Sequence, residues 1–367
     1  MIPFFSRRAS DGNTGISHTI TLRPFILILC FLLVNGLTLQ AQPRGSIKGR
    51  VLDDSTRSPL PLANIFISNS TIGAASKDDG AFELKGVPIG SHQVVASLVG
   101  YQPGIVAVRL VDSTLMTVEI RLKPRAVQLP GVEVEAKDPA EWREQLDDFL
   151  KEFIGTTSNA KKCTILNPEV LDFFEESPHM VARAREQLEI ENRALGYHIR
   201  CVLVHYGFSR TSMQFIVLTS YQNLVPKDNA EEAEWNENRT ATFRGSQRHF
   251  LLSLLRKNTK VEGFEVNRIK KNQARNAFAR PIGFEVDADT LLKSGQHPFQ
   301  SILSFPDILQ VIYYTGNIPQ VSLIEMNRPR LVVYHNGHIE DPLGLWTYGY
   351  WSARRFADML PIDFEPR

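Results

Sequence analysis

The chain has 367 residues, a formal net charge of +1, 43% hydrophobic and 22% charged residues, 23 glycines, 21 prolines and 3 cysteines. That balance excludes disordered, collagen-like and disulfide-packed classes, and the near-zero charge argues against a dedicated nucleic-acid binder. At roughly 100–200 residues per domain the length predicts two domains, each with its own core.

Residues 25–34 read FILILCFLLV, with Arg7, Arg8 and Arg23 before them and Leu39-Gln40-Ala41 after. A bilayer span needs about 20 apolar residues. The short run behind a basic stretch therefore predicts a signal peptide over residues 1–41, cleaved after Ala41. Leu29 precedes Cys30 where a lipid-attachment signal calls for a small residue, which disfavours a lipoprotein. Losing Arg7, Arg8, Arg23 and Asp11 would move the net charge from +1 to −1. No second long apolar run follows, so the expectation is an exported chain with no transmembrane span, in the periplasm or associated with the outer membrane. Cys163 and Cys201 would survive processing. An oxidising compartment permits a disulfide between them, while two separate buried thiols would act as small hydrophobes.

Residues 45–123 carry strand and turn signals at short intervals, as an all-β sandwich of about seven strands requires. Residues 47–51 alternate and meet Asp53-Asp54-Ser55; residues 62–67 run to Ser68-Asn69-Ser70. Asp78-Asp79-Gly80 makes a tight turn, Phe82 and Leu84 alternate with Glu83 and Lys85, and residues 116–122 alternate cleanly. Turn capping is the favoured role for Asp53, Asp78 and Asp79, because a calcium loop needs about six oxygen ligands at regular spacing. Gly49-Arg50-Val51-Leu52-Asp53, Pro59-Leu60-Pro61-Leu62-Ala63-Asn64-Ile65, Asp78-Asp79-Gly80-Ala81-Phe82 and Val99-Gly100-Tyr101 resemble the carboxypeptidase-regulatory-like domain. The resemblance implies a transthyretin-like (prealbumin-like) sandwich of the kind that fronts many exported Bacteroidetes proteins. It implies an accessory or spacer role and supplies no catalytic residue.

Residues 124–138 read as a linker. Leu129-Pro130-Gly131-Val132-Glu133-Val134-Glu135 resembles the stretch joining such a sandwich to the plug of TonB-dependent receptors, but the remaining chain is too short for their barrel of about 22 strands. Residues 139–367 then predict an α+β domain with a largely antiparallel sheet. Asp138-Pro139 starts a helix with an apolar stripe of Trp142, Leu146, Phe149, Leu150 and Phe153, ended by Gly155. Residues 196–208 and 213–224 read as paired strands, 231–257 as one long helix, and 264–269, 309–314, 321–326 and 331–339 as strands, with a hairpin signal at Asn336-Gly337. Asn159-Ala160, Glu191-Asn192-Arg193-Ala194-Leu195-Gly196-Tyr197, Asn238-Arg239, Gly245-Ser246, His249-Phe250 and Gly349-Tyr350-Trp351-Ser352 resemble the C-terminal region of proteins named only for that regulatory domain. The resemblance carries no activity to transfer.

The 231–257 helix holds the candidate chemistry. Arg239, Thr242, Ser246, His249 and Ser253 form a polar row beside the stripe of Trp235, Phe243, Phe250 and Leu254, so they either line a ligand cleft or make structural hydrogen bonds. Ser246 and His249 can touch at i, i+3, but residues 244–248 read RGSQR, with no nucleophile elbow. His335 and His338 fall below the three protein ligands usual for catalytic zinc. Tyr348, Tyr350 and Trp351 either offer a sugar-stacking platform or dock the chain end into the core with Phe356, Met359 and Leu360. The reading is an exported non-enzymatic binding or accessory protein of the cell envelope. It has no cofactor, no metal and no nucleic-acid partner, and an envelope protein or glycan is its candidate partner. The rivals are an enzyme with an unrecognised site on the 231–257 helix and a purely structural envelope protein.

Overall fold

The computed structural model describes residues 44–125, 139–278, 282–315 and 318–366. The expected signal peptide, Cys30, most of the linker and the Asp138 cap lie outside the described residues.

The alternating front segment folds as seven strands: β1 (Arg44–Asp53), β2 (Asn64–Ile67), β3 (Gly73–Ala75), β4 (Ala81–Pro88), β5 (Gly90–Ser97), β6 (Gly104–Leu110) and β7 (Leu115–Leu122). They form a three-stranded sheet, β4-β1-β7, and a four-stranded sheet, β3-β2-β5-β6. Only β1 and β7 pair in parallel; the other named strands of both sheets pair antiparallel. Ile47, Val51, Leu84 and Ile120 of one sheet meet Ile65, Val94, Ala96 and Val108 of the other, because the period-2 alternation turns each set inward. Asp53 caps a turn: its carboxylate accepts from Ser55 N and Thr56 N at 2.8 Å and from the Tyr101 hydroxyl at 2.9 Å. Those donors, led by the Thr56 N–H, hold its pKa below the ordinary value.

Helix α1 (Pro139–Phe149) and a wider turn through Ile154 lay Phe149 and Phe153 into a second core, and Gly155, at φ +99°, ends the run. That core covers one face of a six-stranded antiparallel sheet. Its strands are β8 (Cys163–Ile165), β9 (Leu171–Glu176), β10 (His179–Ala184), β11 (Leu188–Asn192), β12 (Tyr197–Phe208) and β13 (Met213–Asn223). β11 and β10 take successive stretches of one edge of β12, while β13 runs along the other. Cys163 and Cys201 are free and buried. Cys163 lies opposite Asn192, and Cys201 opposite Leu188, so β11 stands between them. Two strand spacings, about 9–10 Å, exceed the Cα separation a disulfide allows.

Beyond the sheet, the expected single helix over 231–257 is two: α2 (Asn229–Phe243) and α3 (Gln247–Arg256). Gly245 breaks it at φ +71°, where an added Cβ would fall 2.5 Å from the Tyr313 ring, and the Ser246 side chain caps α3 by accepting from His249 N. α3 packs Phe250, Leu251 and Leu254 into a third core with two further antiparallel sheets. One, ordered β15-β14-β18-β19-β21, comprises β14 (Phe264–Ile269), β15 (Phe284–Glu285), β18 (Ile308–Thr315), β19 (Ile318–Met326) and β21 (Leu345–Gly349). The other, β16-β17-β20, comprises β16 (Leu292–Ser294), β17 (Gln300–Leu303) and β20 (Leu331–Tyr334). The α+β half thus distributes its strands over three sheets. Asn336-Gly337 does turn the chain, but the return leg makes one bridge, Val333 to Ile339.

The front sandwich is packed onto this half. Phe66 and Val95, on the outer face of its four-stranded sheet, bury against Leu218 and Val202. The Asn69 turn, at φ +61°, adds backbone bonds to the outer edge of β13: Asn69 N donates to Thr219 O at 2.7 Å and Tyr221 N to Ser70 O at 3.0 Å. Ile362 N donates to Asn69 O at 2.7 Å, so the C-terminal tail closes the same seam.

Candidate functional site

A groove of about 930 Å³ opens where the β12–β13 turn, the α2–α3 junction, β21 and the tail after Trp351 converge. That volume is of the size small-ligand and peptide sites have. Of the polar row expected on one helix face, Thr242 and Ser246 reach the groove lining; Arg239, His249 and Ser253 do not. Gly245 separates the two helices, so the row is not continuous.

Each member of the row has a structural partner. Arg239 donates from Nε to Leu195 O at 2.6 Å and from Nη2 to Gly196 O at 3.2 Å, with its guanidinium 4.1 Å above the Tyr197 ring. Thr242 Oγ1 accepts from Asn159 Nδ2 at 2.9 Å, and Ser253 Oγ donates to Phe250 O at 2.8 Å. His249 Nδ1 accepts from Gly245 N at 3.1 Å, which leaves Nε2 to carry the proton and donate to the Glu262 carboxylate at 3.1 Å. Burial holds this imidazole below its ordinary pKa, and the Glu262 bond offsets part of that fall. Both ring nitrogens are thus engaged away from Ser246 Oγ, which serves the α3 N-terminus. The arrangement does not pair a hydroxyl with a base.

Several functional-looking neighbours escaped the sequence reading. Arg248, next to His249, donates Nε to Asn336 O at 3.0 Å, Nη1 to Phe364 O at 2.6 Å and Nη2 to Ile362 O at 2.5 Å. Burial lowers its pKa to about 10, so it stays charged at neutral pH. Asp358 accepts from Asn159, Thr157 and Arg354 at 2.8, 2.9 and 3.0 Å and is itself buried. Arg355 reaches Glu152 at 3.5 Å. On β21, Trp346 and Tyr348 are two residues apart and both line the groove. Of these two, the sequence reading singles out Tyr348 and misses Trp346. Trp351 lines the groove as well, but it is buried and donates Nε1 to Gly245 O at 2.7 Å, so it also docks the chain end.

His335 and His338 face the sandwich rather than solvent. A Cβ on Gly90 would lie 3.4 Å from His335 Cε1, and Arg109 Nη1 approaches His297 Nε2 at 2.9 Å across the same interface. Burial holds His92 and His335 below their ordinary pKa and takes His338 down to about 4. Among the described residues no group of three or more His, Cys, Asp or Glu side chains is disposed to hold a metal ion.

The molecule is therefore a β-sandwich docked on an α+β half whose polar clusters mostly tie elements together. Residues 47–134 match the family described as CarboxypepD_reg-like domain, so the front sandwich is a domain of that kind. No curated protein matches the chain. Among solved structures, the pilus 2b backbone protein of group B streptococcus is 17% identical at a TM-score of 0.20, over 22% of this chain and 42% of that one. The shaft pilin SpaA from Lactobacillus rhamnosus GG is 16% identical at 0.20, over 24% and 48%. The major pilin subunit BcpA of Bacillus cereus is 15% identical at 0.18, over 22% and 30%. The chain spans less than half the length of each, and scores this low describe a short stretch of similar path.

Proposed function

We infer that this is an exported, non-enzymatic accessory protein of the cell envelope, periplasmic or outer-membrane associated. In this reading residues 1–41 are its signal peptide, 45–123 its accessory sandwich, 124–138 a linker and 139–367 the partner-binding part. The carrying observation is the groove. It is large and lined by both apolar and polar residues, while the titratable groups buried beside it (Arg248 and Asp358) are already bonded within the fold. A site built for turnover keeps its acid, base or nucleophile available to substrate. The CarboxypepD_reg-like sandwich supports an accessory role, and its burial against Leu218 supports one working unit. The test is a photo-crosslinking side chain at Thr347, inside the groove, in the full chain within its own envelope. A discrete adduct is expected there, and none from Val225, which is 90% exposed beyond the opposite end of β13. Absence of an adduct at Thr347, or turnover that Ser246→Ala and His249→Asn abolish with the fold intact, would sink this reading.

A further inference from the structure

The outer edge of β13 is only half covered. In the β12–β13 pairing Phe208 lies opposite Met213, one step inside the closing Ser209 N to Ser212 O bond of 2.8 Å. Antiparallel pairs alternate, so Met213, Phe215, Val217, Thr219 and Tyr221 turn their backbone N–H and C=O away from β12. The sandwich meets this edge at Thr219 and Tyr221. At Met213, Phe215 and Val217 no partner meets the outward groups among the described residues, and all three residues line the groove. Three outward positions, spread over about 14 Å of strand, therefore face an open channel.

The channel has a second wall and a charge. Residues 345–348 of β21, an edge strand of the five-stranded sheet, stand across it. Arg210, Arg248, Arg354 and Arg355 line it against Glu152 and Asp358, and Arg210 is exposed with no hydrogen-bond or ion-pair partner among the described residues. An unpaired edge binds an extended chain through its backbone, while the surrounding side chains select the sequence. Resting on the binding reading above, we propose that the groove takes an extended acidic peptide segment of a partner protein as an added strand on β13. The peptide continues the pairing the Asn69 turn begins and places its carboxylates toward Arg210 and Arg355.

The probe is a short fluorescein-labelled peptide of alternating valine and glutamate, titrated into the full exported chain. A valine–lysine peptide and a version interrupted by proline serve as controls. The acidic peptide should bind saturably and slow hydrogen exchange at the Phe215 and Val217 amides. Arg210→Glu, in an exposed turn, should weaken it at least about fivefold, and Met213→Pro, which removes one outward N–H at the strand start, should also weaken it. Equal binding of the lysine peptide, or unchanged exchange at those amides, would overturn the proposal. If the Thr347 adduct forms while the peptide fails on both counts, strand addition is wrong and the broader reading stands. If the adduct is missing too, both fall.

Discussion

Arg248→Met is the sharpest probe of how the tail is held. The substitution keeps the apolar stem and removes three donors, leaving the carbonyls of Asn336, Ile362 and Phe364 without their partner. Hydrogen bonds to a charged donor contribute about 1.5–3 kcal/mol each. Keeping that guanidinium charged inside the fold, with its pKa drawn from 12.5 to about 10, costs about 3 kcal/mol at ~1.4 kcal/mol per unit. The net loss should be about 1.5–6 kcal/mol, read by urea unfolding on tryptophan fluorescence, with early proteolytic trimming of the tail after Trp351. Arg256→Met is the control. Its ion pair with Glu365 is 47% and 42% exposed, so its loss should cost less than about 1 kcal/mol. If both variants fall within 1 kcal/mol of the parent, or the tail stays protected in Arg248→Met, the three carbonyl bonds do not anchor it.

Acid should loosen the molecule well before its carboxylates titrate. His338 is neutral in the fold, with its pKa taken from 6.5 to about 4, and an unfolded chain binds more protons between those values. Stability is therefore full above about pH 6.5 and falls by up to ~3 kcal/mol as pH drops toward 4. Burial lowers the pKa of His92 and His335 in the same direction, and His338→Gln should flatten the slope of urea midpoint against pH. Gly196→Ala should destabilise by about 2–4 kcal/mol in the same unfolding assay, because its φ is +68° and the new Cβ would overlap the Trp235 indole. Cys163 and Cys201, whose thiol pKa values burial pushes up, should resist iodoacetamide in the native protein and alkylate in urea. A reductant should leave stability unchanged. Protection that vanished on reduction would mean a disulfide after all.

The parts of the fold legible in the sequence are those with a strong local period. Residues 116–122 alternate in one register and appear within β7; Phe149 of α1 and Phe153 of the following turn are buried in one core as their spacing requires. The α2–α3 break was hidden because Trp235, Phe243, Phe250 and Leu254 keep helical spacing across Gly245. The Tyr313 ring and the Gln320 side chain behind that glycine, far along the chain, leave no room for a Cβ at the break. β3, of three residues, has too few positions to show alternation. The groove was illegible for the same reason as the histidine-lined seam. Its walls come from residues 69, 152, 208–217, 242–251 and 337–362, and no one window holds two of them. Asn192, Arg193 and Leu195 stood out as a sequence feature, and the structure spends them on joinery. Asn192 bonds Ala357 O, while Trp235 and Arg239 bond the Arg193 and Leu195 carbonyls. A polar residue in a family-like motif was therefore a poor guide to chemistry here.

The seam at Asn69 has a consequence for any attempt to divide the chain. Cutting before Pro139 would strip Phe66 and Val95 from Leu218 and bare the Thr219 and Tyr221 backbone groups beside an edge already open farther along. Such a fragment would present a continuous sticky margin and should associate with itself. In that case the front sandwich would shield its neighbour from aggregation, and the two halves would best be expressed and engineered together.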